Sequence, residues 1–382
     1  MKEGVIKYKD KLKKGYKKRA IKTKRIANKK MLNKKGIFFT LISITIMAVF
    51  IFVFTPQADV SLEKDTQSIK VRISSIDNYV SDLEDRYFID VLRSGTHKTI
   101  LSLVYYIEAK ALEGEGSFLT DLNSAFSGVI QYGKINGEFI DDITEPIAGR
   151  RIMEGNTLDA KIKEIKDKAA ETLKVDTIVT IKPGSIKVSQ KTPWEMESEM
   201  EIDFTVKSSD NIAEWSKQSI IIKAVTGIEG FNDPYYLVNT NGAYKNPIAI
   251  STVEFDQWSI DKVREHIENG KYIHWKESDA PSFLMRFTNT ISPSSCCGIE
   301  SFVNPNKLEL AQAQRDQIES YMDYLFWTHK FHTDCPAEPV VYDIIGLWGT
   351  PSPPDFNDFK LDIEHLFKYN IGPTDAEKTA CP

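Results

Sequence analysis

The sequence predicts an α+β protein: an N-terminal transmembrane helix and helical stalk, then an antiparallel β-sheet domain, then a disulfide-tied mixed C-terminal region. Three observations predict it. An uncharged apolar run separates a basic tail from an acidic remainder. Apolar residues then recur at helical spacing through the next hundred or so positions. From Asp176 the period changes to two.

The 382-residue chain has a net charge of −5, which hides two opposite parts. Residues 1–35 carry 16 Lys/Arg against Glu3 and Asp10, a sum of +14, whereas the remainder carries 33 basic and 52 acidic residues, a sum of −19. With an apolar fraction of 41%, neither intrinsic disorder nor a soluble single-compartment enzyme fits. Ile37 to Thr55 is 19 residues without charge, Pro or Gly. As a helix it spans roughly 28 Å, the thickness of a bilayer core. Residues 36–56 are therefore assigned as a membrane span, with Pro56 as its stop. Thr55-Pro56-Gln57 lacks the small-residue pattern of a signal-peptidase site. The positive flank holds residues 1–35 in the cytoplasm and puts 57–382 outside, in a cell membrane crossed once. Val5, Tyr8, Leu12 and Tyr16 give the tail an amphipathic face suited to an anionic leaflet. The membrane is thus an expected partner and nucleic acid is not.

Lys34-Lys35-Gly36-Ile37-Phe38-Phe39-Thr40-Leu41-Ile42-Ser43 resembles the leader border of type IV pilins and archaeal pilin-like proteins. The resemblance implies leader cleavage at Lys34, Lys35 and Gly36, and a helix that packs into a filament core. Three further segments resemble archaeal membrane-anchored surface proteins of unknown activity: Asp233-Pro234-Tyr235-Tyr236-Leu237-Val238-Asn239-Thr240, Ala280-Pro281-Ser282-Phe283-Leu284-Met285-Arg286-Phe287 and Gly298-Ile299-Glu300-Ser301-Phe302-Val303-Asn304. That resemblance implies the layout of basic tail, single span and large outer part, and no chemistry.

Residues 57–175 read as a helical stalk region. Ile69, Ile73, Ile76, Val80, Leu83 and Tyr87 form a seam spaced 4, 3, 4, 3, 4. Packing of this seam on its own domain is expected, with contact between subunits as the alternative. Ile100, Leu101, Leu103, Val104, Ile107 and Ala111 continue the helical pattern, and Gly114-Glu115-Gly116 ends it. A third helix covers Leu158, Ile162, Ile165 and Ala169, capped by Asn156 or Thr157.

An antiparallel β domain is expected over 176–256, as a meander of Thr177–Ile181, Ser185–Gln190, Trp194–Val206 and Gln218–Thr226, with Lys182-Pro183-Gly184 as a hairpin turn. In its third strand Trp194, Met196, Met200, Ile202, Phe204 and Val206 share the core face, while Glu195, Glu197, Glu199, Glu201 and Asp203 share the other. Lys187, Lys191, Lys217 and Lys223 are available on neighbouring strands to relieve the acidic row. Residues 257–382 form the mixed C-terminal region. It holds a short helix Ile260–Glu268, a buried strand Phe283–Phe287, a helix Leu308–Trp327, a stiff connector Pro351-Ser352-Pro353-Pro354 and a last helix Phe356–Tyr369.

No catalytic residues, cofactor or metal are expected. A straight acidic row does not converge on a cation. His329, His332 and Asp334, beside Cys335, lack a third strong ligand and sit among Phe326, Trp327 and Phe331. Ser61-Leu62-Glu63-Lys64 and Ser209-Asp210-Asn211 mimic motifs of a serine acyl-transferase, but Lys191-Thr192-Pro193 has Pro where the third motif needs Gly. The four cysteines, Cys296, Cys297, Cys335 and Cys381, all fall outside the predicted membrane. An even count there favours two disulfides. Neighbouring Cα atoms lie about 3.8 Å apart, short of the roughly 4.4–6.8 Å of most disulfides, so Cys296 and Cys297 are expected to reach Cys335 and Cys381 rather than each other. The expected function is a non-enzymatic, pilin-like cell-surface subunit assembling through its N-terminal hydrophobic helix, with self-association or other surface proteins as partners. The alternative is a fixed membrane-anchored binding protein or adhesin.

Overall fold

Helical structure dominates the first part of the computed structural model, which describes residues 43–47, 56–114, 118–210, 213–254, 257–276, 279–310, 320–328, 341–343 and 359–371. Within the apolar run, residues 43–47 are helical, with Ile44, Ile46 and Met47 exposed. Among the described residues no helix is long and apolar enough to cross a membrane; residues 36–42 and 48–55 of the expected span lie outside them. Residues 1–71 and 72–382 group as two units. The expected boundaries at 175/176 and 256/257 fall inside the second.

Helix α1 (Pro56–Asp82) passes through one π-helical turn, Leu83–Tyr87, into α2 (Phe88–Leu112). Asp82 and Phe88 both keep right-handed helical angles, so the chain continues along one course with a single wide turn. The apolar seam divides along its length. Ile76, Val80 and Leu83 are in the core, whereas Ile69 and Ile73 are exposed. Tyr79 hydroxyl meets Thr177 Oγ1 at 3.2 Å, so this part of the seam lies against its own sheet, as its spacing predicts. Ile100, Leu103, Val104, Ile107 and Ala111 of α2 are all buried.

Helix α3 (Leu122–Tyr132) begins at Asp121, whose carboxylate caps the backbone N–H of Asn123 and Ser124. A two-residue turn, Asn136-Gly137 with both φ positive, joins β1 (Lys134–Ile135) to β2 (Glu138–Phe139). Helix α4 (Ile140–Ala148) follows, then α5 (Leu158–Thr172), which Thr157 caps by accepting from Ala160 N–H.

The main sheet holds β3 (Val175–Ile181), β4 (Lys187–Thr192), β5 (Glu195–Ser208) and β6 (Glu214–Gly227). It is antiparallel, but it is not the expected meander. β6 pairs along β5 on one side, while β3 and β4 both pair with β5 on the other. β3 takes residues 202–208 and β4 takes 195–199. Lys182-Pro183-Gly184 is therefore no hairpin turn. Two strands antiparallel to one partner run the same way, so the Pro-Gly step offsets one interrupted edge strand. Pro cannot donate to a ladder, and Gly184 takes a positive φ. Ser185 repairs the gap: its Oγ accepts from Glu201 N–H, while Lys182 N–H donates to Glu201 O.

The alternation along β5 holds, except that Trp194, expected on the core face, is half-buried in the turn before the strand. Met196, Met200, Ile202, Phe204 and Val206 are buried, and the alternating acids are not. Phe204 meets Phe88 of α2 with ring centroids 5.6 Å apart. Ser198 interrupts this apolar face, and Thr96 Oγ1 donates to its Oγ at 2.7 Å, so the buried hydroxyl is satisfied.

Beyond the sheet lie α6 (Pro234–Asn239), β7 (Ala249–Ile250), α7 (Ile260–Asn269), β8 (Lys271–Ile273) and α8 (Phe283–Arg286). Then come β9 (Glu300–Ser301), α9 (Pro305–Leu310), α10 (Asp323–Thr328), β10 (Val341–Asp343), β11 (Lys360–Asp362) and α11 (Ile363–Lys368). Three expectations fail here. Phe283–Phe287 is buried but helical, because a short apolar run carries no period to separate helix from strand. Leu308–Trp327 is not one helix: Met322 bridges to Phe302, Tyr321 N–H donates to Lys360 O and Tyr321 O accepts from Val303 N–H, all lateral bonds. The last helix starts at Ile363 rather than Phe356, since Lys360–Asp362 pair with Val341–Asp343 and Asp362 then caps α11. The connector at 351–354 lies outside the described residues.

Candidate functional site

The acidic face of β5 is a neutralised ladder. Lys191 and Lys223 hold Glu197 at 2.8 and 3.3 Å, and Lys223 holds Glu199 at 2.8 Å. Lys182 holds Glu201 and Asp203 at 2.8 and 3.6 Å. The Lys191 bond, against a smaller desolvation effect, lowers the Glu197 carboxyl, and the Lys182 bond lowers that of Glu201. Lys217 bonds Glu84 of the π-helical turn instead. Cross-strand lysines thus relieve the row, and among the described residues no three or more His, Cys, Asp or Glu side chains converge as a metal site.

A groove of about 550 Å³ lies between the π-helical turn, the start of α2 and α5. Tyr87 hydroxyl donates to Lys161 O at 2.7 Å and closes one end; burial, with the Glu164 charge adding, pushes its pKa up to about 12. Val91, Gly95 and Ile165 give apolar lining. A Cβ on Gly95 would come within 3.3 Å of Ile130, so glycine lets α2 approach α3 here. Lys168 and Lys161 both bond Glu164, at 2.6 and 2.9 Å, and bring its carboxyl down to about 2. Acids and bases balance around the rim, so the groove suits a neutral or zwitterionic group.

A second polar assembly is fully buried. Arg286 Nη1 donates to Asp233 Oδ2 at 2.5 Å and to Asp323 Oδ2 at 2.6 Å, and Nη2 donates to Ile299 O. All three charged side chains have zero exposure. Tyr272 hydroxyl donates to Asp233 at 2.8 Å and Ser301 Oγ to Asp323 at 3.1 Å. The guanidinium also lies over the rings of Tyr235 and Tyr272, at 5.0 and 5.7 Å. Burial, offset in part by Arg286, raises the Asp323 carboxyl to about 6.

On the next residue of β9, Glu300 accepts from Tyr369 hydroxyl at 2.6 Å and faces His365 Nε2 at 3.3 Å, while His365 Nδ1 lies 2.6 Å from Asp362. Burial works against charge on His365, but Asp362 and Glu300 outweigh it and raise its pKa to about 10. Burial likewise works against the Glu300 carboxylate, and His365 and Lys368 bring it down to about 2. All of these groups are buried, and their ion pairs join the start of α6 to α8, β9, α10, β11 and α11.

Lys34, Lys35 and Gly36 lie outside the described residues, as do His329, His332, Asp334, Cys335 and Cys381. Ser61 lies in α1; Ser209 Oγ donates to Lys174 O and Asp210 pairs with Arg72, while Asn211 of the second acyl-transferase look-alike lies outside the described residues. Cys296 and Cys297 correct the expectation that they avoid each other: they form a disulfide across one peptide bond, with Cα atoms 3.7 Å apart. The turn at 295–297 brings the two side chains together, and an eight-membered ring closes without the usual Cα separation. The Arg286 network escaped the sequence reading, although Asp233, Arg286, Ile299, Glu300 and Ser301 all fall in the three segments that carry the surface-protein resemblance. Their one separate signal is charge inside apolar stretches, as in Phe283-Leu284-Met285-Arg286-Phe287. Comparison with protein-family models, curated proteins and solved structures returns no match.

Proposed function

We propose that this chain is a non-enzymatic cell-surface subunit, held in the membrane by its N-terminal apolar run and assembling with further copies through its N-terminal helix. The observation that carries the reading is the helical course from Pro56 to Leu112. It buries Ile76, Val80, Leu83 and most of α2 against its own unit, yet leaves Ile69 and Ile73 of the same seam exposed. A seam that is apolar before its own domain begins suits a neighbour's helix. The apolar run and the charge split support the membrane placement. A photoreactive residue at Ile69, on the exposed part of the seam, in membranes of cells expressing the chain, is expected to cross-link copies into a ladder. The same residue at Ile178, exposed on β3, is expected to give monomer. Monomer from both positions contradicts assembly.

The groove at the π-helical turn favours a second reading, a fixed anchored binding protein, because wide turns in helices gather at ligand sites. On that reading Ile69 gives monomer while a bulky Ser94→Trp, at an exposed position lining the groove, blocks capture of the partner.

A further inference from the structure

We propose that Cys296–Cys297 is a thiol–disulfide exchange site for a dithiol reductant, attacked at Cys296, and that its redox state controls how firmly the following strand is held in the buried ionic network. Adjacency and exposure set the chemistry. Cys296 is exposed at the apex of the 295–297 turn, and Cys297 is fully buried. Only one sulfur of the bond therefore faces an incoming thiolate.

The residues after the pair explain why the bond matters. His274 Nδ1 donates to Gly298 O at 2.7 Å. Ile299 N–H donates to Pro281 O at 3.1 Å, and Ile299 O accepts from Arg286. Glu300 and Ser301 then supply the contacts to His365, Tyr369 and Asp323. Every residue from Gly298 to Ser301 is thus engaged, and the ring of the adjacent disulfide restricts the backbone immediately before the first of them. Opening that ring restores rotational freedom beside a strand of only two residues.

The exchange balances as follows. A thiolate of the dithiol attacks Cys296 Sγ, the bond between the two cysteine sulfurs breaks, and Cys297 leaves as a thiolate that takes a proton. The second thiol of the reductant then attacks its own sulfur in the mixed disulfide, and Cys296 leaves and is protonated. The protein gains two electrons and two protons, and the dithiol becomes a disulfide.

The test uses the full chain with Cys335→Ser and Cys381→Ser, in detergent, so that only the adjacent pair reports. Unreduced, denatured protein should take no iodoacetamide. Dithiothreitol should add two hydrogens by mass. Glutathione, a monothiol, should leave its adduct on Cys296. Amide exchange at Ile299 and Glu300 should accelerate about tenfold on reduction, while the further Cys296→Ser/Cys297→Ser variant should ignore the reductant. Should the serine variants fail to fold, non-reducing peptide mapping and exchange on the unmodified chain give the same readouts. Two alkylated thiols at 296 and 297 without reductant, an adduct on Cys297, or unchanged exchange at Ile299 would each overturn the proposal.

Discussion

Replacing Arg286 by Met removes the one guanidinium that two buried carboxylates share. Asp233 and Asp323 lie 2.5 and 2.6 Å from Arg286 Nη1 and have no exposure, so neither can recover its lost partner from water. Breaking a buried pair in this way costs about 3–5 kcal/mol. The carbonyl of Ile299 also loses its donor, which by itself is worth about 1–3 kcal/mol. The two losses share one side chain and do not add, so the expected deficit near neutral pH stays at about 3–5 kcal/mol. Urea denaturation of the full chain in detergent, followed by tryptophan fluorescence, measures it. The pH dependence has a definite sign. Asp323 already has a folded pKa of about 6, above its ordinary 3.8. Without Arg286, whose charge lowers it, the Asp323 carboxyl moves further up, so its protonation stabilises the fold fully below the unfolded value, and that contribution is lost as pH rises through the folded one. The deficit should therefore shrink towards acid pH. The triple variant Arg286→Met/Asp233→Asn/Asp323→Asn should regain more than half of it at neutral pH. A deficit below about 1 kcal/mol, or one flat with pH, would refute the argument that Arg286 neutralises a buried pair.

Three further outcomes follow from the packing. Phe204→Ala should cost about 3–5 kcal/mol in the same titration, because Phe204 is buried against Phe88, whereas Glu199→Gln should change stability little; equal effects would contradict the two-faced strand. Gly270→Ala should cost more than about 1 kcal/mol, since φ is +62° and the new Cβ would fall 2.1 Å from Asn246 Oδ1, the amide that donates to Tyr272; a neutral result would show that α7 ends differently. His365 has a folded pKa of about 10 against an ordinary 6.5, so its contribution is complete below about 6.5 and disappears as pH rises through about 10. The urea midpoint should fall across that window, and His365→Gln should flatten the fall.

Where burial alternated with exposure, the sequence was a faithful guide. The β5 faces, the Thr157 cap and the apolar side of α2 follow from local periodicity and capping chemistry, which act within a few residues. Pairing followed only in part: β4 with β5 and β5 with β6 pair as a meander requires, but β3 pairs with β5 rather than β4. The Lys182-Pro183-Gly184 step has a turn's composition, and only the shared partner β5 reveals that the chain does not reverse there. Helix 308–327 failed because Tyr321 and Met322 take lateral bonds from residues far along the chain, overriding a pattern that suits a helix. The Arg286 network was invisible for the same reason: Asp233 and Asp323 are 53 and 37 residues from Arg286, and no local spacing links them. Cys296 and Cys297 misled through a general distance rule that a single tight turn circumvents.

Assembly through an N-terminal helix, as distinct from a fixed anchor, turns on what precedes that helix in the mature protein. A basic tail of +14 left in place would have to be packed beside every neighbouring helix, whereas removal at Gly36 leaves Ile37 leading an apolar helix. The direct measurement is the N-terminal sequence of the protein isolated from the membranes or surface of its own cells. Ile37 as the first residue is the predicted result, and an intact Met1 would contradict assembly through this helix.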